Sequence, residues 1–316
     1  MISFLYQAIR SSITLLFGAT GEIITEKSGH LNLGVPGVMC LGGLGGCVGV
    51  SVYNNIAGGT DNMSAALILL FAVLFAFVFA GIAGAIYCYL TVSLRANQNI
   101  TGLSLTYFGF GMCKMFISST TLYSAVSPKI QRFLPYEALG DFGKLFFSYG
   151  FIAYLAVAIA IVVSIFLKRT RIGLNLRAVG ENPATADSAG INVVAYKYIA
   201  TIIGCGIAGL GGMYYMLDYS SGQGLQEAVA IVEALGWLSV ALVIFVLWKP
   251  NFAIIGAFVF SCCSLLSSVV NTVPTAILDM LPYIITIIVL IITSIFGSKN
   301  VQPPASLGLN YFREDR

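Results

Sequence analysis

The chain has 316 residues, 58% of them hydrophobic and only 9% charged, with a net charge of +3. Soluble domains carry roughly 25% charged residues, so this composition cannot make a water-facing surface, and a small positive charge confined to loops excludes a nucleic-acid partner. One histidine, His30, and seven cysteines without C-x-x-C spacing supply no metal or disulfide framework, so no metal or cofactor is expected.

The first apolar segment covers residues 3–24 and lacks the basic start and cleavage pattern of a signal peptide. It reads as a membrane crossing. Further segments follow at 32–53, 64–92, 99–118, 148–167, 197–218, 229–247, 252–270 and 281–296, each near the ~20 residues that span a bilayer as a helix. Backbone in lipid must satisfy its own hydrogen bonds, which leaves helices or a closed barrel. Barrel strands alternate apolar and polar residues, and "ALILLFAVLFAFVFAGIAGAIYCYL" (Ala66–Leu90) does not. The expected fold is all-α, a polytopic membrane protein of about nine (8–10) transmembrane helices. It forms one domain, 1–316, because the longest polar stretches, about 30 residues, are too short to fold alone.

Charge sets the orientation. Lys168, Arg169, Arg171 and Arg177 crowd the loop 168–196, which the positive-inside rule places in the cytoplasm. Arg95, Lys249 and Lys299 then fall on the same side, with the N-terminus and the loop 119–147 opposite.

Two stretches break the apolar pattern. "EKSGHLNLGVPG" (Glu26–Gly37) puts charges, glycines and Pro36 between two apolar runs. It is either a surface loop or a broken membrane segment of the kind transporters place at substrate sites. On the second reading Glu22, Asn32, Gly34 and Gly37 are candidates for the translocation pathway, since polar groups at membrane depth carry function by default. Lys114, Asp218, Glu233 and Asp279 lie near segment ends, where reaching the interface explains them. His30 reads as a structural hydrogen-bonder. In "GCGIAGLGG", the spacing of Gly204, Ala208 and Gly212 predicts close helix approach.

The second stretch is "RAVGENPATADSAGINV" (Arg177–Val193). Asn182 can cap a helix and Pro183 suits its first position. Residues 183–189 make two turns of roughly 10 Å. Gly190 supplies a left-handed stop, with Ile191 folding back on Ala186. Isolated helices this short are marginal in water. The segment is therefore either a docking helix for a partner's groove or an interfacial linker.

At these residues the chain resembles permease subunits of ATP-binding-cassette (ABC) importers for branched-chain amino acids, simple sugars and nucleosides. "LRAVGENPATADSAGIN" resembles their cytoplasmic coupling loop and "GEIITEKSGHLNLGVPG" their N-terminal signature. "NQNITGLSLTYFG" and "ALGWLSVALVIFVLWKP" match two further family motifs, in the same order between about residues 18 and 296. The nucleoside branch, served by a binding lipoprotein, is nearest. Departures fall at Thr25, Pro36 and Gln98, where serine, an acidic residue and glutamate are usual.

The resemblance implies a permease in the bacterial cell membrane, surrounded by lipid and paired with an identical or homologous second permease. Two cytoplasmic ATPases each receive one loop, and an extracytoplasmic lipoprotein delivers substrate. In that loop Asn182, Pro183 and Ala186 build the docking helix. Glu181 and Asp187 hydrogen-bond the ATPase groove, and Gly180 and Gly190 give sharp turns on either side. The chain has no Walker A motif and is not expected to be an enzyme. The expected solute is a nucleoside or simple sugar, with branched-chain amino acids as the alternative. An ion-coupled secondary transporter would leave the capped helix without a task, and no paired inverted breaks are visible. An intramembrane enzyme would need H-E-x-x-H or paired aspartates inside segments, and neither is present.

Overall fold

A computed structural model describes residues 2–117, 120–131, 143, 145–270, 274–296 and 302–312. Its helices, in chain order, are α1 (Ile2–Lys27), α2 (Val35–Ala57), α3 (Ala65–Cys88), α4 (Gln98–Phe116), α5 (Thr120–Gln131), α6 (Phe151–Arg169) and α7 (Arg171–Glu181). They continue with α8 (Pro183–Ser188), α9 (Val193–Tyr214), α10 (Leu225–Phe245), α11 (Pro250–Val269), α12 (Thr275–Asp279) and α13 (Leu281–Phe296). Every segment expected from the sequence coincides with one of them. α3 and α9 each end in one π-helical turn, Tyr89–Ser93 and Tyr215–Tyr219.

Among the described residues, seven helical stretches are long and apolar enough to cross a membrane; α1 and α4 fall outside that set for a physical reason. Thr14, Thr20, Glu22, Thr25 and Glu26 of α1 are all buried, so these polar groups face protein and not lipid. In α4, Gln98 and Thr106 are buried, while Thr101 and Ser104 return their hydroxyls to the carbonyls of Asn97 and Ile100, 2.8 and 2.9 Å away.

The centre is a trio in which α9 packs between α1 and α2, with α3 against both α2 and α9, α4 against α2, and α6 and α11 against α1. Small residues set the spacing. A Cβ on Gly21 would sit 2.2 Å from the Gly204 carbonyl oxygen, and one on Gly42 only 2.3 Å from the Gly209 Cα. Outside, α3 exposes Leu67, Leu70, Leu74, Val78, Ile82 and Ile86, an apolar stripe at helical spacing suited to lipid.

The two ends of the bundle differ. At one, Lys129 Nζ donates to the Thr60 carbonyl at 2.7 Å, Gln226 Nε2 to that of Ile117 at 2.6 Å, and Arg10 pairs with buried Asp218 at 3.3 Å. At the other, Asn310 Nδ2 donates to the Arg95 carbonyl at 2.9 Å and Ser306 N–H to that of Gly180 at 3.0 Å. The segments that the charge rule groups with Arg95 and the loop 168–196 therefore meet at one end. Of the loop 119–147, residues 119, 132–142 and 144 lie outside the described residues.

Candidate functional site

The break between α1 and α2 is only seven residues, 28–34, and it turns back into the bundle. Asn32 reaches Cys205, twelve residues into α9, or about 18 Å from that helix's start. A connector at this depth must account for its backbone groups, and it does so with buried partners. The N–H groups of Ser28 and Gly29 close turns onto Thr25 and Glu26. Leu31 N–H donates to Gln98 Oε1 at 2.9 Å, Asn32 N–H to Glu22 Oε1 at 3.2 Å, and Gly34 N–H to Asn32 Oδ1 at 2.9 Å. Tyr87 OH donates to the Leu31 carbonyl and Thr106 Oγ1 to that of Leu33.

Of the four residues expected along a pathway, Glu22 and Asn32 thus meet directly, and both are buried. Gly34 and Gly37 lie against α4, where a Cβ on Gly37 would come within 2.3 Å of the Leu105 carbonyl oxygen. In this single chain all four contact protein, and their geometry positions the connector.

Gln98 explains one departure from the usual motif. Its amide oxygen accepts from Leu31 while its nitrogen donates to Asn310 Oδ1 at 3.1 Å. A glutamate could accept from Leu31 but not donate to Asn310. His30 is equally fixed. Thr91 Oγ1 spends its proton on the Tyr87 carbonyl at 2.7 Å, so His30 Nε2 donates to Thr91 at 2.8 Å and Nδ1 accepts from Thr201 at 2.9 Å. Both ring nitrogens are thus held by neutral hydroxyls inside the bundle.

The polar stretch forms two helices. α7 is capped by Thr170, whose hydroxyl accepts from Gly173 N–H at 3.0 Å. α8 is capped by Asn182, whose side chain accepts from Thr185 N–H at 3.0 Å, with Pro183 in the first turn. Gly190 ends it at φ +84°, and Ile191 N–H returns to the Ala186 carbonyl at 3.0 Å, the closure expected of a left-handed stop.

Several side chains have different tasks from those the sequence suggests. Ala186 is buried at 3% exposure against Val179, Val193 and Tyr311, so it seats α8 on its own protein. The outward face is Ala184, Thr185, Ser188 and Ala189. Asp187 Oδ2 accepts from Tyr311 OH at 2.9 Å, and Glu181 Oε2 from Ala305 N–H at 3.4 Å. Both carboxylates hold the C-terminal tail. Gly180 makes no turn; it is helical and sits against the end of α1, where a Cβ would lie 2.3 Å from the Lys27 carbonyl oxygen.

The tail, 302–312, is the part that sequence reasoning missed. Ser306 bonds the Gly180 carbonyl through both its N–H and its hydroxyl, Asn310 ties to Arg95 and Gln98, and Tyr311 ties to Asp187. A strap thus joins α7, α8, the connector and the start of α4.

The family model described as branched-chain amino acid transport system / permease component matches residues 4–290. A Haloferax volcanii protein named as a glucose ABC transporter permease is 32% identical, the match covering 97% of this chain and 96% of that one. A nucleoside ABC transporter permease of Lactococcus lactis is 30% identical over 96% and 94% of the two chains. A guanosine ABC transporter permease of Bacillus subtilis shows the same identity and coverage.

Proposed function

The chain belongs to the family of branched-chain amino acid transport system permease components, and on that premise we propose that it carries a nucleoside, with a simple sugar as the second reading. It is a multi-pass permease subunit of an ABC transporter in the cell membrane, in a family that works with ATPase and substrate-binding partners. The likeness to nucleoside permeases over nearly the whole chain carries the substrate reading.

On this reading the chain is a single membrane domain that pairs with a second permease, and α8 takes its outward face into an ATPase groove. Motion received there passes through two seats, Ala186 on Val179 and Gly180 on the end of α1, into the central trio. Gly180, Glu181, Asn182, Pro183, Ala186, Asp187 and Gly190 shape and hold the docking helix. Ala184, Thr185 and Ser188 do the touching. Glu22, Asn32, Gly34 and Gly37 fix the connector beside the path. Hydrolysis of ATP belongs to the other subunit.

The test is ATP hydrolysis by the complex of permease, ATPase and binding protein in liposomes. Guanosine and related nucleosides should stimulate it severalfold, while glucose and leucine leave it near basal. Stimulation by glucose alone would move the substrate to sugars; stimulation by leucine alone would end the nucleoside reading. In the same assay Ala184→Trp, on the outward face, should weaken ATPase capture about tenfold, or 1.4 kcal/mol, without lowering permease stability. Wild-type capture and stimulation would remove α8 from the interface.

Sidedness has its own test. In a background without the native cysteines, Ser188→Cys should react only with reagent applied from the cytoplasm and Asn62→Cys only from outside. Both positions are exposed, whereas Ser127 in α5 is buried and would report burial instead of side. Labelling of Ser188→Cys from outside intact cells would invert the orientation.

A further inference from the structure

Apart from the docking helix, the same end of the bundle holds a cavity of about 210 Å³ between the ends of α1, α6 and α10 and the start of α11. Lys27, Lys168, Arg177 and Lys249 line it, together with Ser164 and Trp248. Among the described residues none of the four cations forms a salt bridge, and Lys249 has only the Phe252 ring, 5.6 Å from its ammonium to the ring centroid. Two carboxylates act on Lys27, those of Glu26 and Glu181. Glu26 already accepts from Trp248 Nε1, and Glu181 from the Ala305 N–H. Four positive charges around one cavity therefore face two carboxylates with other partners, an excess that calls for an anion.

The surroundings say which kind. Ile161, Ile165 and Lys168 fall on one face of α6, at i, i+4 and i+7. The two isoleucines are exposed and apolar, and Lys168 follows them where the helix ends. A molecule with an apolar body and an anionic head fits that order: chain along Ile161 and Ile165, phosphate among the cations. The wall is held by backbone in an uncommon conformation, since Leu247 and Trp248 both have φ +55°, a region that bulky residues avoid. That turn brings Trp248 and Lys249 to the cavity side by side.

We propose that this cavity binds the phosphate headgroup of an anionic membrane phospholipid, between helix ends at the membrane surface, as basic pockets of membrane proteins do. The inference concerns lipid and stands apart from the substrate reading. Native mass spectrometry of the detergent-solubilised permease–ATPase complex tests it, after delipidation and addition of dioleoylphosphatidylglycerol, dioleoylphosphatidylcholine or inorganic phosphate. The phosphatidylglycerol adduct should persist under activation that strips phosphatidylcholine. Lys168→Gln with Lys249→Gln should cut its retention at least about tenfold, with the ATPase still bound and the melting temperature unchanged. The single exposed change Lys168→Gln should give an intermediate loss, which covers the case in which the double variant folds poorly. Equal retention of both lipids, or a phosphate adduct without lipid preference, would overturn the proposal. Loss of the ATPase with the lipid retained would also overturn it and assign the cations to the protein interface.

Discussion

Gly180→Val should uncouple the transporter while leaving it in the membrane. The position is helical, so the φ range of valine is no obstacle; the obstacle is space. A Cβ would stand 2.3 Å from the Lys27 carbonyl oxygen and 3.0 Å from the Gly29 nitrogen. Both are backbone atoms that no rotamer change can move aside. Ordinary contact needs about 3.5 Å or more, so α7 must shift by at least about 1 Å from the end of α1. Overpacking of this kind costs about 1–3 kcal/mol, occasionally more. The displacement would also pull Gly180 away from Ser306, which bonds its carbonyl twice. Substrate-stimulated ATP hydrolysis should fall at least about tenfold, as expected for 1.4 kcal/mol or more of lost coupling. Gly180→Ala should fall between the two. Wild-type stimulation by the valine variant would mean that this contact transmits nothing.

Asn32→Leu should be the most damaging change inside the bundle. The residue is 1% exposed, and its side chain accepts from Gly34 N–H at 2.9 Å while its amide approaches Cys205 Sγ at 3.5 Å. Leucine has a similar size and no acceptor, so the Gly34 N–H would be left buried without a partner. Orphaning a buried donor costs about 1–3 kcal/mol. Here the loss falls at the first turn of α2, from which the connector takes its shape. Uptake should drop steeply and the melting temperature with it, whereas Cys205→Ala, which removes only the weak sulfur contact, should stay close to wild type. Normal uptake and stability for Asn32→Leu would strip the connector of its proposed role.

The positions of the helices were legible because their signals are local. Apolar runs of bilayer length marked each of the long helices, and Asn182, Pro183 and Gly190 carry the start and stop of α8 in their own chemistry. Direction was not legible. Ala186 looks like a small outward residue until Val179, Val193 and Tyr311 are in place around it, and those contacts come from three separate elements. Asp187 and Glu181 looked free for a partner because their in-chain partners, Tyr311 and Ala305, lie more than 120 residues away. The tail itself, "QPPASLGLNYF" (302–312), has no periodicity; its meaning lies in hydrogen bonds to other parts of the chain. The buried polar face of α1 was partly visible, as Glu22 inside an apolar run. Whether such groups meet lipid, water or protein depends on the neighbours.

The glycine contacts at the heart of the bundle bear on how this permease can move. Helices that slide past one another normally do so by switching side-chain rotamers at the shared surface. Where Gly42 meets Gly209 and Gly21 meets Gly204 there are no rotamers to switch, and a sideways step would drive a neighbouring Cβ into backbone. α1, α2 and α9 are therefore locked like a keyed joint, and on the proposed coupling a pull on α8 would carry them together. On the proposed coupling, any rearrangement would shift that block as one piece against the helices packed around it.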